Sequence, residues 1–282
     1  MMFWLLLSCA QDESRYAYLG EDMFVDTTVH SNILREFSFF GTDEEGFAYG
    51  FDLDGKVSGQ GEEESCGHGD LESPSGTVGI DNQLAKIWTL IEPVAGSIAQ
   101  ELLQGSINEG RVLLALELVG AESIEQDSDV TLRIFTAQGD PDIGTMGFIS
   151  PDQTFSINTQ ADFVEVEGVS INNGHVQVGP IDFSMPLDIL ELQTTLNIKM
   201  GSFDFMIHED GTFHGYMGGA ISVSEFLTDI KNTDAAEEAA LVEALFINNA
   251  DMGYDSGDCD LFSMAFSFSG TNAFIVRSHN TE

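Results

Sequence analysis

From Arg111 to Met217 apolar and polar residues alternate along the chain, and that period of two constrains the fold more than any other feature. Successive side chains of a strand point to opposite faces, so such a pattern settles as half-buried β-strands. Residues 112–118, 130–134, 163–167, 175–178, 187–190, 196–198 and 203–207 read as strands, with two more at 262–268 and 273–276. Asn173-Gly174 and Asp210-Gly211 are hairpin-turn signals. A helical spacing replaces the alternation at Ile80, Leu84, Ile87, Ile91, Ile98 and Leu102. Asp81 or Asn82 can cap that helix, Gly105 can end it, and Pro93 kinks or splits it. Ser222 with Glu225, and Asp234 with Glu237, have capping-box spacing. The apolar faces that follow are Phe226, Leu227 and Ile230, then Leu241, Leu245 and Phe246.

Strands joined by short turns imply a mainly β, α+β fold: an antiparallel β-sandwich-like sheet with two to three helices packed at an edge or end. The helices are expected near 80–104, 223–231 and 235–247. Residues 46–282 then form one β-rich domain, after a tether and first strand in residues 9–45.

The chain carries 48 Asp and Glu against 9 Lys and Arg, a formal net charge of −39 on 282 residues. High net charge often marks disorder, but 43% of the residues are hydrophobic and 10% aromatic, the composition of a globular protein. Phosphate binding depends on clustered Lys and Arg, so nucleic acid and anionic lipid surfaces are poor partners. Plain solubility or a salty habitat accounts for much of the excess, and divalent cations are the ligands it favours.

The first residues, Met1 to Leu7, are apolar and too few to span a bilayer, which needs roughly 20. The run ends Leu6-Leu7-Ser8-Cys9, which resembles the bacterial lipobox, where cleavage before a Cys leaves it to carry the lipid. That resemblance implies a signal peptide over residues 1–8 and an acylated Cys9, with Ala10 favouring the outer membrane. Against it, no Lys or Arg precedes the run and the run is short; a start placed too far downstream explains both. The alternative is a short buried strand. Two thiols remain, Cys66 and Cys259, and in an exported protein they suggest one disulfide.

Two acidic loops contain those cysteines. The first runs through Asp52, Asp54 and Asp70, the second through Asp251, Asp255, Asp258 and Asp260. Phe51-Asp52-Leu53-Asp54-Gly55 has carboxylates at alternate positions but fails the EF-hand pattern, because Gly55 comes at the fourth position and Lys56 at the fifth. Asp81 reads as a helix cap in preference to a ligand. If Cys66 pairs with Cys259, the loops meet and Asp70 lies near Asp258 and Asp260. A calcium ion held by Asp52, Asp54, Asp70, Asp255, Asp258 and Asp260 would then relieve their repulsion. Solvated loop acids are the alternative.

Asp52-Leu53-Asp54-Gly55, Cys66, Ser73-Pro74-Ser75-Gly76, Gly79-Ile80-Asp81-Asn82-Gln83 and Gly257-Asp258-Cys259 together resemble segments of acidic lipoproteins from myxobacteria and related predatory or marine bacteria. The resemblance covers the ends of the chain better than its middle. It implies an envelope location and an architecture, not a reaction.

Catalytic motifs are sparse. There is no G-x-S-x-G elbow, no HExxH and no phosphate loop. A two-residue turn at Asp210-Gly211 sets His208 opposite Phe213 and His214 opposite Ile207, on opposite faces, which argues against a shared metal. The leading expectation is a non-enzymatic, lipid-anchored outer-membrane protein of the cell envelope, a binding or structural module stabilised by calcium and one disulfide, touching the membrane only through Cys9. A carrier of an apolar ligand is the first alternative, to be recognised by an internal apolar cavity, since the chain has 21 Phe. A carbohydrate-active hydrolase using a carboxylate pair is the second.

Overall fold

The computed structural model describes residues 28–62, 66–161, 163–189, 192–231, 243, 245–253 and 258–276. Cys9, Asp255 and the Asp234/Glu237 capping pair lie outside these residues.

Among the described residues, twelve strands and three α-helices follow in chain order, and residues 243 and 245–247 are also helical. The strands are β1 (Val29–Ser38), β2 (Leu71–Glu72), β3 (Val78–Ile80), β4 (Leu114–Val119), β5 (Gln126–Gln138), β6 (Gln153–Ile157), β7 (Phe163–Asn172), β8 (His175–Ile189), β9 (Leu192–Ile207), β10 (Phe213–Ser222), β11 (Met252–Gly253) and β12 (Cys259–Val276). The helices are α1 (Gln83–Ile91), α2 (Ser97–Asn108) and α3 (Val223–Lys231). The fold is therefore mainly β with helices, as the alternation predicts.

Several predicted strands are halves of longer ones. Segments 175–178 and 187–189 belong to β8, 196–198 and 203–207 to β9, and 262–268 and 273–276 to β12; residue 190 lies outside the described residues. The apparent gaps are bulges and glycines rather than turns: β8 and β9 slip register between Val178 and Ile181 and again before Phe183.

The sheet closes on itself. Antiparallel pairing runs β1–β4–β5–β7–β8–β9–β10–β12 and returns to β1. β6 adds an antiparallel contact to β5 and a parallel one to β12. Closure gives the alternation an inside and an outside. On β9, Phe203, Phe205 and Ile207 are buried while Met206 is exposed and Asp204 half-exposed. Phe135, Phe155, Phe213 and Phe262 join the same core, each no more than 1% exposed. One junction is weak. β7 and β8 pair only at Ile171–Val176 and Asn172–His175, beside the Asn173-Gly174 turn, and a cleft of about 430 Å³ opens beyond it.

The first helix starts where Asn82, not Asp81, accepts the amide of Ala85 at 3.1 Å. Pro93 splits the predicted helix through a π-turn at Glu92–Gly96. The wider turn rotates the apolar face, so Ile98 is 59% exposed while Leu103 and Ile107 enter the core. Gly105 lies inside α2, which continues to Asn108. α1 packs on β12, α2 on β1 and β8, and α3 on β9, β10 and β12. The α3 start matches its capping box, with Ser222 Oγ accepting the Glu225 amide at 3.2 Å.

Candidate functional site

Three carboxylates converge on the outer acidic loop. Asp81 joins Asp52 and Asp54, their ligand atoms all within 4.8 Å of one another. The backbone builds the cluster. Asp81 N–H donates to the Phe51 carbonyl at 2.8 Å, which lays the loop along the start of α1. Asp52 accepts the Gly55 amide at 2.8 Å, and Asp54 that of Lys56 at 2.9 Å. Asp81 accepts the Leu53 amide at 2.7 Å through Oδ2. Gly79, at φ +78°, lets the chain pass the Lys56 carbonyl, where a Cβ would sit 2.6 Å from that oxygen.

Each carboxylate thus binds backbone amides through one oxygen and leaves the other for a cation. A calcium ion takes six to eight oxygens, and three carboxylate oxygens are a partial but fitting set. Burial pushes the Asp81 carboxyl up to about 8, opposed by the Leu53 amide and reinforced by the charges of Asp54, Asp70 and Asp251.

The disulfide is present. Cys66 and Cys259 are bonded with their Cα atoms 5.8 Å apart, so the acidic loops do meet. Of the carboxylates the sequence groups, Asp52 and Asp54 come together, and Asp81 joins them. Asp260 turns to α3, accepting from the Ser224 amide at 2.9 Å and from the Ser222 and Ser224 hydroxyls at 2.6 and 2.9 Å. Asp258 lies with it beside Lys199 and Glu225, along a separate hollow of about 570 Å³. Asp70 accepts the Ser58 amide at 2.5 Å and stands outside the three-carboxylate group; burial raises its pKa, the Ser58 amide opposes this, and Asp54 and Asp52 add to the rise.

Two residues of this region lie outside the calcium set expected from the sequence. Asp251, 7% exposed, accepts the Ser263 amide at 2.8 Å and the Ser263 hydroxyl, while Ser263 Oγ accepts the Gln83 amide at 2.8 Å. Lys86 donates to the Gly69 carbonyl. Burial lowers its pKa, against the charges of Asp251, Asp70 and Asp81. The signal was its place, a cation inside the apolar run Leu84-Ala85-Lys86-Ile87 of a chain with few cations.

A second site is apolar. Between the inner face of the sheet and the helices lies a cavity of about 160 Å³ with no polar lining. Phe37, Met185, Phe262 and Met264 face it from the strands, Leu103 from α2 and Phe226 from α3.

On the outer face, the β9–β10 turn corrects the expected register. Ile207 pairs with Phe213 and Met206 with His214, so the loop is wider than two residues. His208 and His214 therefore share a face, with rings stacked at 4.5 Å. Two asparagines hold the wider turn: Asn32 donates to the Gly211 carbonyl at 2.9 Å and Asn272 to that of Asp210 at 2.7 Å. Farther along this face Tyr49 stacks on Tyr216 at 4.4 Å. Asp204 accepts Gln177 and pairs with His175, both at 2.6 Å.

No family model, curated protein or solved structure matches the chain. Among the described residues no helix is long and apolar enough to cross a membrane.

Proposed function

We propose that the protein is an exported, non-enzymatic binding module of the cell envelope, anchored through Cys9, that carries a small apolar ligand between its sheet and helices. The cavity carries this reading. A hole of about 160 Å³ with a wholly apolar wall has the size of those that stay dry and take up benzene. It sits where the inner faces of β8, β9, β10 and β12 meet α1, α2 and α3, so its wall comes from most of the fold. The Cys66–Cys259 bond fits an oxidising compartment, and the Ser8-Cys9 junction supplies the anchor. Calcium at Asp52, Asp54 and Asp81 is the stabilising ion in this reading.

The hydrolase alternative gains nothing from the half-exposed Asp204, both of whose oxygens are engaged by neighbours.

The test is a thermal melt with and without benzene, read beside the methyl NMR signals of Met185 and Met264. Benzene should raise the melting temperature and shift both methyls. Met185→Phe, which fills the cavity, should fold and lose the response. Unchanged melts and spectra in the wild-type protein would refute the carrier reading.

A further inference from the structure

The outer face of the sheet holds a donor set that neither the apolar cavity nor the acidic loop uses. Met206, on β9, is the cross-strand partner of His175 on β8 and of His214 on β10. His208 follows Met206 by two residues and stacks on His214 with ring centroids 4.5 Å apart and planes 16° from parallel. Met206 is 36% exposed, and both stacked histidines are exposed residues.

We propose that Met206, His208 and His214 form a copper site on the outer face of the sheet, with His175 as the adjoining imidazole. The argument rests on the kind of donor that meets here. Thioether sulfur selects Cu(I), and imidazole serves both oxidation states of copper. Of the nearby carboxylates, Asp204 has both oxygens engaged, by His175 and Gln177, and Asp210 accepts the Thr212 amide and hydroxyl at 3.1 and 2.7 Å through a single oxygen. A soft ion finds sulfur and nitrogen side by side here.

His175 has the orientation common among metal-binding histidines. Its Nε2 meets the Asp204 carboxylate at 2.6 Å, and a ring nitrogen so held leaves the other to a metal. In the stacked arrangement the His208 and His214 lone pairs lie in nearly parallel planes. A turn of either exposed ring about Cβ–Cγ, a broad and soft torsion, aims both at one point. Met206 reaches the same point through three rotatable bonds. The net charge of −39 raises the local concentration of any cation.

The full chain with its disulfide intact is titrated anaerobically with Cu(I) against the chromogenic chelator bicinchoninate, with ascorbate as reductant. The wild-type protein should withdraw a single equivalent. His208→Asn and His214→Asn should each weaken Cu(I) binding by about tenfold or more. Met206→Leu should weaken Cu(I) binding while leaving Zn(II) binding unchanged. Because these side chains are on the surface, melting in chelator should match wild type and report that each variant is folded. No competition by the wild-type protein, or equal competition by the His208→Asn/His214→Asn double variant, would overturn the site. Full Cu(I) affinity in Met206→Leu would overturn the assignment to copper.

Discussion

The carboxylate of Asp81 accepts the Leu53 amide at 2.7 Å from a position only 4% exposed to solvent. With the bond from the Asp81 N–H to the Phe51 carbonyl, this hydrogen bond fastens the acidic loop to the start of α1, and it does so with a group that burial makes reluctant to ionise.

That reluctance sets a pH dependence. The Asp81 pKa is raised by burial from 3.8 to about 8, so the folded protein keeps a proton that the unfolded chain releases. The stabilising contribution is fully present below pH 3.8 and is lost as pH rises through about 8. Its slope is at most about 1.4 kcal/mol per pH unit. Asp81→Asn cannot ionise and retains an oxygen for the Leu53 amide. In chelator, denaturant melts of the two proteins should nearly coincide at the acid end, with the variant the more stable near pH 8. Parallel curves across the whole range would show that Asp81 does not titrate in this window. The other carboxylates are common to both proteins and cancel in the difference.

Calcium should act on the same cluster with the opposite sign. An ion that binds only the folded protein stabilises it by about 2.7 kcal/mol at a hundred times its dissociation constant. A calcium melt should therefore exceed a chelator melt, and high sodium chloride, which screens but does not coordinate, should not make up the difference. Asp54→Ala should abolish the gain. If wild type melts identically in calcium and chelator, the three carboxylates hold no calcium.

The disulfide closes a loop of 193 residues in sequence separation. In the chain-entropy account such a loop contributes about 5 kcal/mol, less any native-state strain. Cys66→Ser with Cys259→Ser should lower the denaturant midpoint accordingly, and wild type in reductant should follow it. A loss below about 1 kcal/mol would place the bond's effect far under the chain-entropy value.

What the sequence revealed followed from local chemistry. Asn173 and Gly174, at φ 52° and 75°, form the turn that an Asn-Gly pair favours because both residues tolerate positive φ, and Ser222 caps α3 as its spacing with Glu225 predicts. The pairing of Cys66 with Cys259 followed from setting Cys9 aside. What remained hidden depends on contacts between distant residues. Closure of the sheet joins β1 to β12, Phe37 opposite Phe268, and no local pattern announces that pair. The β9–β10 turn departs from the two-residue register because Asn32 and Asn272, far away in the chain, hold its carbonyls. Asp81 looked like a cap because it precedes a helix; Asn82 took that role and left Asp81 to the loop.

Asp260 separates an acid used as a cap from an acid available to a cation. Its carboxylate binds the Ser224 amide and both neighbouring serine hydroxyls at the start of α3, so its work is to satisfy donors that the first helical turn leaves unpaired. Asp260→Ala should cost about 0.5–2 kcal/mol, the range for losing a helix cap, and the same amount in calcium as in chelator. Asp260→Asn keeps an acceptor and should recover most of the loss, as a cap allows and a charge-dependent ion site does not. A calcium-dependent cost for Asp260→Ala, unrelieved in Asp260→Asn, would return this residue to the metal-binding set. The two acidic loops would then be joined by an ion as well as by the Cys66–Cys259 bond.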